Sequence, residues 1–128
     1  MLQVTPQMRV LLAVAPADFR KGIDGLVALC RDGLGLDPMS GAVFGFRNRR
    51  ANGVKLLVYA GHGFWLCQLR LSTGRLGWWP RADAPEATHA LASHELSVLL
   101  AGGDPRQARG MPVWRRVDGV SDRRMAAV

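Results

Sequence analysis

The stretch 42-AVFGFRNRRANGVKLLVY-59 decides how this chain is read. Two apolar runs, Ala42–Arg47 and Val54–Tyr59, flank a short polar link that carries Arg49, Arg50 and Asn52-Gly53. Asn-Gly suits the positive φ of a tight turn, so the pattern predicts a β-hairpin with its connection at 48–53. Two further strand-like runs follow, Phe64–Leu71 and Leu76–Trp79, joined through 60–63 and 72–74. Short glycine-bearing links between strands predict an antiparallel meander. In the third run Trp65, Cys67, Leu69 and Leu71 share one face, and Phe64, Leu66, Gln68 and Arg70 share the other.

Upstream, Arg9–Val14 reads as a first strand that Pro16 ends. Asp18 is placed to cap a helix carrying Phe19, Ile23, Leu26, Val27 and Cys30. Gly22 and Gly25 stand three apart inside that helical pattern, which predicts a close approach, by a strand of the same domain or by a nucleic-acid backbone. Thr88–Ala101 reads as a second helix with Leu91, Leu96, Val98, Leu99 and Leu100 on its apolar side, ended by Gly102-Gly103. The expected fold class is therefore α+β: one antiparallel β-meander sheet of about five strands with two helices packed on one face. Residues 1–103 are expected to form a single α+β domain. Residues 104–128 form an arginine-rich C-terminal tail, partly docked through Met111–Val117 or disordered.

The chain has 128 residues, 48% hydrophobic and 21% charged, enough for one packed core. No apolar run approaches the ~20 residues of a membrane span, and no basic region precedes the short run Val10–Ala15, so a cytoplasmic protein without membrane attachment is expected. Cys30 and Cys67 belong to no CxxC pair and are read as buried free thiols.

The net charge is +7, and all of the excess lies in residues 38–82, which carry Arg47, Arg49, Arg50, Lys55, Arg70, Arg75 and Arg81 and no acid. The flanking segments balance. A field focused in this way favours a polyanionic partner. Fifteen of the seventeen cations are arginine, which base composition of the gene alone can also produce.

Catalytic patterns are missing. His62 sits in 61-GHG-63, and His89 and His94 are five apart, off the spacing of a helical metal pair. There is no GxxxxGK, and the strand-rich region has no carboxylate for a nuclease site. The chain is expected to be no enzyme and to hold neither metal nor cofactor.

The basic hairpin is the candidate binding element. Arginine presents a planar fork that takes phosphate bidentately. Arg47, Arg49 and Arg50 at the tip and Lys55 on the return strand are expected to grip DNA phosphates. Arg70 and Arg75 would extend the footprint. Arg20 and Lys21, which open the first helix against its dipole, would add contacts. The plainer alternative is a solvated loop that keeps a sheet edge soluble. Trp78 and Trp79 point to opposite faces of a strand: one could stack on a base, or both could be packed.

These motifs carry a resemblance. The run 18-DFRKGIDGL-26, then 37-DPMSGAVFGFRNRRANGVKLL-57, resembles the accessory-protein family encoded by the second open reading frame of insertion sequence 66 elements, TnpB. The matching positions are Asp18, Arg20, Lys21, Gly22, Asp24, Gly25 and Leu26, then Asp37, Pro38, Ser40 and Gly41, then Phe46, Arg49, Arg50 and Lys55. The segment 58-VYAGHGFWLCQLRLSTGRLGWWP-80 is similar to the family's next hairpin through Arg70, Leu71, Gly74, Arg75, Trp79 and Pro80. Ala60 and Asn48 depart from the usual aspartate and glycine. The resemblance implies an accessory role in DNA transposition beside a separate transposase. With the charge map it yields two expectations. One is a DNA-binding accessory factor acting at element ends. The other is an adaptor that binds the transposase or other accessory proteins of the element without touching DNA. A homo-oligomer is compatible with either.

Overall fold

The computed structural model describes residues 4–81 and 85–107. Five strands form one sheet: β1 (Val10–Ala13), β2 (Val43–Arg47), β3 (Gly53–Tyr59), β4 (Phe64–Arg70) and β5 (Thr88–Leu91). Their spatial order is β4-β3-β2-β1-β5. A short helix α1 (Ile23–Ala28) runs on into a π-helical turn, Leu29–Gly33, between β1 and β2. A second helix, α2 (Ser93–Leu100), follows β5, and a 3-10 turn, Pro105–Gln107, follows α2.

The sheet is mixed, which corrects the expected all-antiparallel meander. β2, β3 and β4 do pair antiparallel through short links. β1 and β2, however, are joined by a long connection that carries α1, and such a crossover delivers the second strand parallel to the first. Val10 stands opposite Val43 in that pairing, and on the other side of β1 it stands opposite Leu91 in an antiparallel one.

The helices do not share a face either. Val10 and Leu12 point to one side with Val43, Val54, Leu56 and Val58, where Leu96 and Leu99 of α2 cover them. Leu11 and Ala13 point to the other with Phe44, Phe46 and Leu57, where Leu26 and Cys30 cover them. The layers are helix, sheet, helix. A central strand covered on both sides must be apolar at every position, and β1, Val-Leu-Leu-Ala, is buried at all four. Cys30 lies in this core, and burial pushes its thiol up to about 11.

Several local expectations shift. Leu76–Trp79 is no strand. Gly74 takes a positive φ, and Gly77 lies so close to the end of α2 that a Cβ there would stand 2.7 Å from the Gly102 carbonyl oxygen. The loop crosses the α2 face instead, tucks Leu76, Trp78 and Trp79 against the core, and donates the Trp79 indole N–H to the Ala13 carbonyl at 2.9 Å. Trp78 meets His89 edge-on at 5.3 Å, so both tryptophans are packed. The missing strand is supplied by Thr88–Leu91, read above as helix. There the outer side of β1 takes the backbone, and α2 starts only at Ser93, where the Glu95 carboxylate accepts the Ala92 N–H. Asp18 does not cap α1, since Gly22 holds the N-cap position. Gly22 faces open space and the site of a Gly25 Cβ is met only by Lys21, so neither glycine admits a strand. The 104–128 tail lies outside the described residues from 108 onward.

One glycine does mark a close approach between strands. Gly45 of β2 stands opposite Leu12 of β1, and a Cβ there would lie 2.6 Å from Leu12 Cδ2, in a side chain with no exposed surface. Gly45→Ala is predicted to overpack the centre of the sheet and cost about 1–3 kcal/mol. Thermal unfolding should then show a midpoint lowered by roughly 4 °C or more. An unchanged midpoint would mean that Leu12 repacks freely.

Candidate nucleic-acid interface

β1 and β2 run parallel, so the segment that follows β1 and the loop that follows β2 emerge at the same end of the sheet. The Ala17 N–H donates to the Arg47 carbonyl at 2.9 Å and stitches the two exits together. Crevices beyond the carboxyl ends of parallel strands are habitual ligand sites in open sheets. This end also receives the start of β3 and the finish of β4, with Gly53 opposite Arg70.

The 48–53 connection is built around Asn48. Its Oδ1 accepts the N–H groups of Asn52 at 3.0 Å and Gly53 at 3.1 Å, and its Nδ2 donates to Asn52 Oδ1 at 2.6 Å. With these bonds made inside the loop, Arg49 and Arg50 are turned outward and exposed. The residue with positive φ is Ala51, at 58°, and not the Asn52-Gly53 pair. Gly53 is needed for a different reason: a Cβ there would approach Phe19 Cε2 to 3.1 Å and Asn48 Nδ2 to 3.3 Å. Asn48 is the structural residue that the sequence reading missed. A polar side chain at the first position of a connection, able to bond backbone two or more residues on, is the signal that marks it.

The predicted cations separate into three groups. The first is gathered. Arg49, Arg50 and Arg70 line a recess of about 290 Å³ with Asn48 and Asn52. Arg49 also lines a neighbouring recess of about 330 Å³ with Arg20, Asp18, Phe19 and Asn48. Arg75 is exposed on the loop after β4, and the Leu76 N–H bond to the Ala51 carbonyl at 2.7 Å holds it at this same end of the sheet.

The second group is withdrawn from the surface, against expectation. Lys55 is 6% exposed. Its Nζ donates to the carbonyls of Phe19 and Lys21, both at 2.9 Å, and lies 5.0 Å from the Phe19 ring centre. It is a clamp on the chain before α1. A side chain on the return strand faces the helix side of the sheet because its neighbour Phe46 does, and that alternation takes it off the tip. Arg47 is half-buried, donates Nη1–H to the Asn48 carbonyl at 3.2 Å, and has its Nε enclosed with no hydrogen-bond partner. As the last residue of β2 it lies against the loop and does not project from it.

The third group precedes α1 and does not open it. Arg20 is tied to Asp18 through a bidentate ion pair, Nη2–Oδ2 2.7 Å and Nε–Oδ1 3.1 Å, and its N–H donates to the same carboxylate at 2.9 Å. These side-chain and backbone bonds from Arg20 hold the Asp18 carboxyl well below the usual carboxylate range. Lys21 is exposed, and its N–H closes a turn on the Asp18 carbonyl at 3.0 Å. Neither cation sits in the first turn of α1, which starts at Ile23.

Among the described residues no three histidines, cysteines or acids come together as a metal site. No helix among them is long and apolar enough to cross a membrane.

The Lys55 clamp predicts a separation of stability from binding. Lys55→Met leaves two carbonyls unpaired and should cost about 2 kcal/mol in chemical unfolding. The slope of duplex-binding affinity against salt should stay as in the unaltered chain. A slope lowered by about 0.9 would mean that Lys55 meets a phosphate after all.

Comparison with known proteins then places the chain. The family model described as IS66 Orf2 like protein matches residues 8–110. The uncharacterized protein y4jC of Sinorhizobium fredii is 35% identical over 108 residues, covering 84% of this chain and 90% of the relative. The uncharacterized protein y4hO of the same organism is 33% identical over 115 residues, covering 90% of this chain and 96% of the relative. No solved structure matches. The chain belongs to the IS66 Orf2-like family, a family of transposition-associated accessory proteins.

Proposed function

We propose that this IS66 Orf2-like chain is a non-catalytic DNA-binding accessory factor that grips duplex phosphates at the basic end of its sheet and assists a separate transposase at the element ends. The observation that carries the reading is the convergence of Arg49, Arg50 and Arg70 on one open recess, with Arg20 beside them, from three segments far apart in sequence. Arginines scattered by base composition alone have no reason to meet at one end of a fold.

The roles follow from geometry. Arg49 and Arg50 are free to present their forks to successive phosphate oxygens. Arg70 flanks them from the edge strand, and Arg75 extends the same end. Asn48 and Asn52 satisfy one another and hold the loop open, so ordering it costs little on binding. Contacts of this kind position a protein on DNA without reading its sequence.

Replacing both Arg49 and Arg50 with alanine should lower affinity for a labelled duplex carrying the terminal repeat severalfold. The salt slope should fall by about 0.9 for each phosphate that is no longer neutralised. Affinity and slope equal to those of the unaltered chain would remove the loop from the interface and favour an adaptor that contacts only the transposase.

Asp18 supplies the second test. It lines the recess that Arg20 and Arg49 share, and it occupies the guanidinium of Arg20. Asp18→Asn should release Arg20 and remove a charge that repels phosphate, so binding should tighten and its salt slope steepen. Weakened binding would instead make the Asp18–Arg20 pair a scaffold that the interface needs intact.

A further inference from the structure

β4 ends the sheet, and among the described residues nothing pairs with its outer side. The direction of its backbone groups can be read from the bonds that flank the β3–β4 ladder. The Leu71 N–H donates to the Asn52 carbonyl at 2.9 Å, and the Ala60 N–H donates to the Gly63 carbonyl at 2.8 Å. Bonded pairs alternate along an antiparallel ladder. The register from Gly53 opposite Arg70 to Tyr59 opposite Phe64 therefore turns Trp65, Cys67 and Leu69 toward β3. The N–H and C=O groups of Phe64, Leu66, Gln68 and Arg70 point away from the molecule.

Sheet edges of this length are usually blunted by proline, a bulge, an inward charge or a covering segment. β4 has none of the first three. Its one charged residue, Arg70, is at its end, and Trp65 is 44% exposed on the α2 side.

We propose that the outer edge of β4 is a self-association surface, on which a second copy of this chain lays its own β4 antiparallel, joining the two sheets into one. The strand is self-complementary. One register opposes all four outward residues: Phe64 to Arg70 of the second copy, and Leu66 to Gln68. A two-fold axis then passes through Cys67, and each outward pair exchanges two backbone hydrogen bonds. Trp65 comes to lie beside Leu69 of the second copy, which covers its exposed ring. Antiparallel pairing also sends the two 48–53 loops to opposite ends of the joined sheet, so the basic ends do not repel at close range. The two Cys67 thiols meet at a non-hydrogen-bonded pair, where Cβ atoms stand about 4.5–5.5 Å apart, within reach of a disulfide after a small adjustment. Cys30, fully buried, offers no competing thiol.

The test uses the full chain without nucleic acid. Sedimentation equilibrium over rising concentration should show a monomer–dimer equilibrium. Diamide should trap a covalent dimer that Cys67→Ser abolishes. Gln68→Pro removes an outward N–H from each copy and no bond to β3, so it should weaken dimerisation by about tenfold or more. Trp65→Lys, a substitution at an exposed position, should also weaken it. A chain that is monomeric throughout overturns the proposal. So does a dimer trapped equally well without Cys67, or one whose dissociation constant neither Gln68→Pro nor Trp65→Lys changes.

Discussion

The Lys55 ammonium ties the chain that precedes α1 to the sheet, beside a 48–53 loop that Asn48 holds independently. Taking a cation out of water is costly unless its donors are met. Here two carbonyls, those of Phe19 and Lys21, accept it at 2.9 Å, and the Phe19 ring stands over it. In return the chain between β1 and α1 is held against the sheet, and Arg20 is carried to the side of Arg49. Gly53 leaves the space that Phe19 fills. Lysine suits the task because its long stem packs within the sheet face while its head reaches carbonyls that no shorter donor could meet.

Around that clamp the charge distribution acquires a direction. The exits of parallel β1 and β2 fall together, and β3 and β4 add the loop's return and Arg70. Four segments thus contribute to one end, three of them bringing arginines into shared recesses. Among the described residues, the opposite end of the sheet carries the glycine-flanked turn of His62 and, just before β1, Arg9. A polyanion approaching the molecule meets a focused field on one side.

Much of this was legible in the residues. Alternation in β4 gave the correct faces, with Cys67 on the α2 side and Leu66 on the α1 side, because period-two patterning survives wherever one face is buried. The β2–β3 hairpin was legible for the same reason. The parallel pairing of β1 with β2 was not, since a helical crossover and a meander can share the same order of elements. Thr88–Leu91 misled because an apolar residue at its end serves a helix and a strand equally, and the vacant side of β1 decided between them. At the basic end, counting charge pointed to Arg49, Arg50 and Arg70, which the fold brings to one recess. It also enrolled Lys55, whose burial depends on the pleat and on a carbonyl partner 36 positions away in the chain. Charge alone cannot tell a cation that seeks phosphate from one that already has its acceptors.

The most direct measurement is a titration of the isotope-labelled chain with duplex DNA, followed by nuclear magnetic resonance at backbone amides and arginine Nε–H groups. Shifts should concentrate at Arg20, at 48–53 and at Arg70, and weaken together as salt is raised. Shifts centred on α2 and β5, or none at low salt, would contradict the assignment of the basic end as the DNA-binding surface.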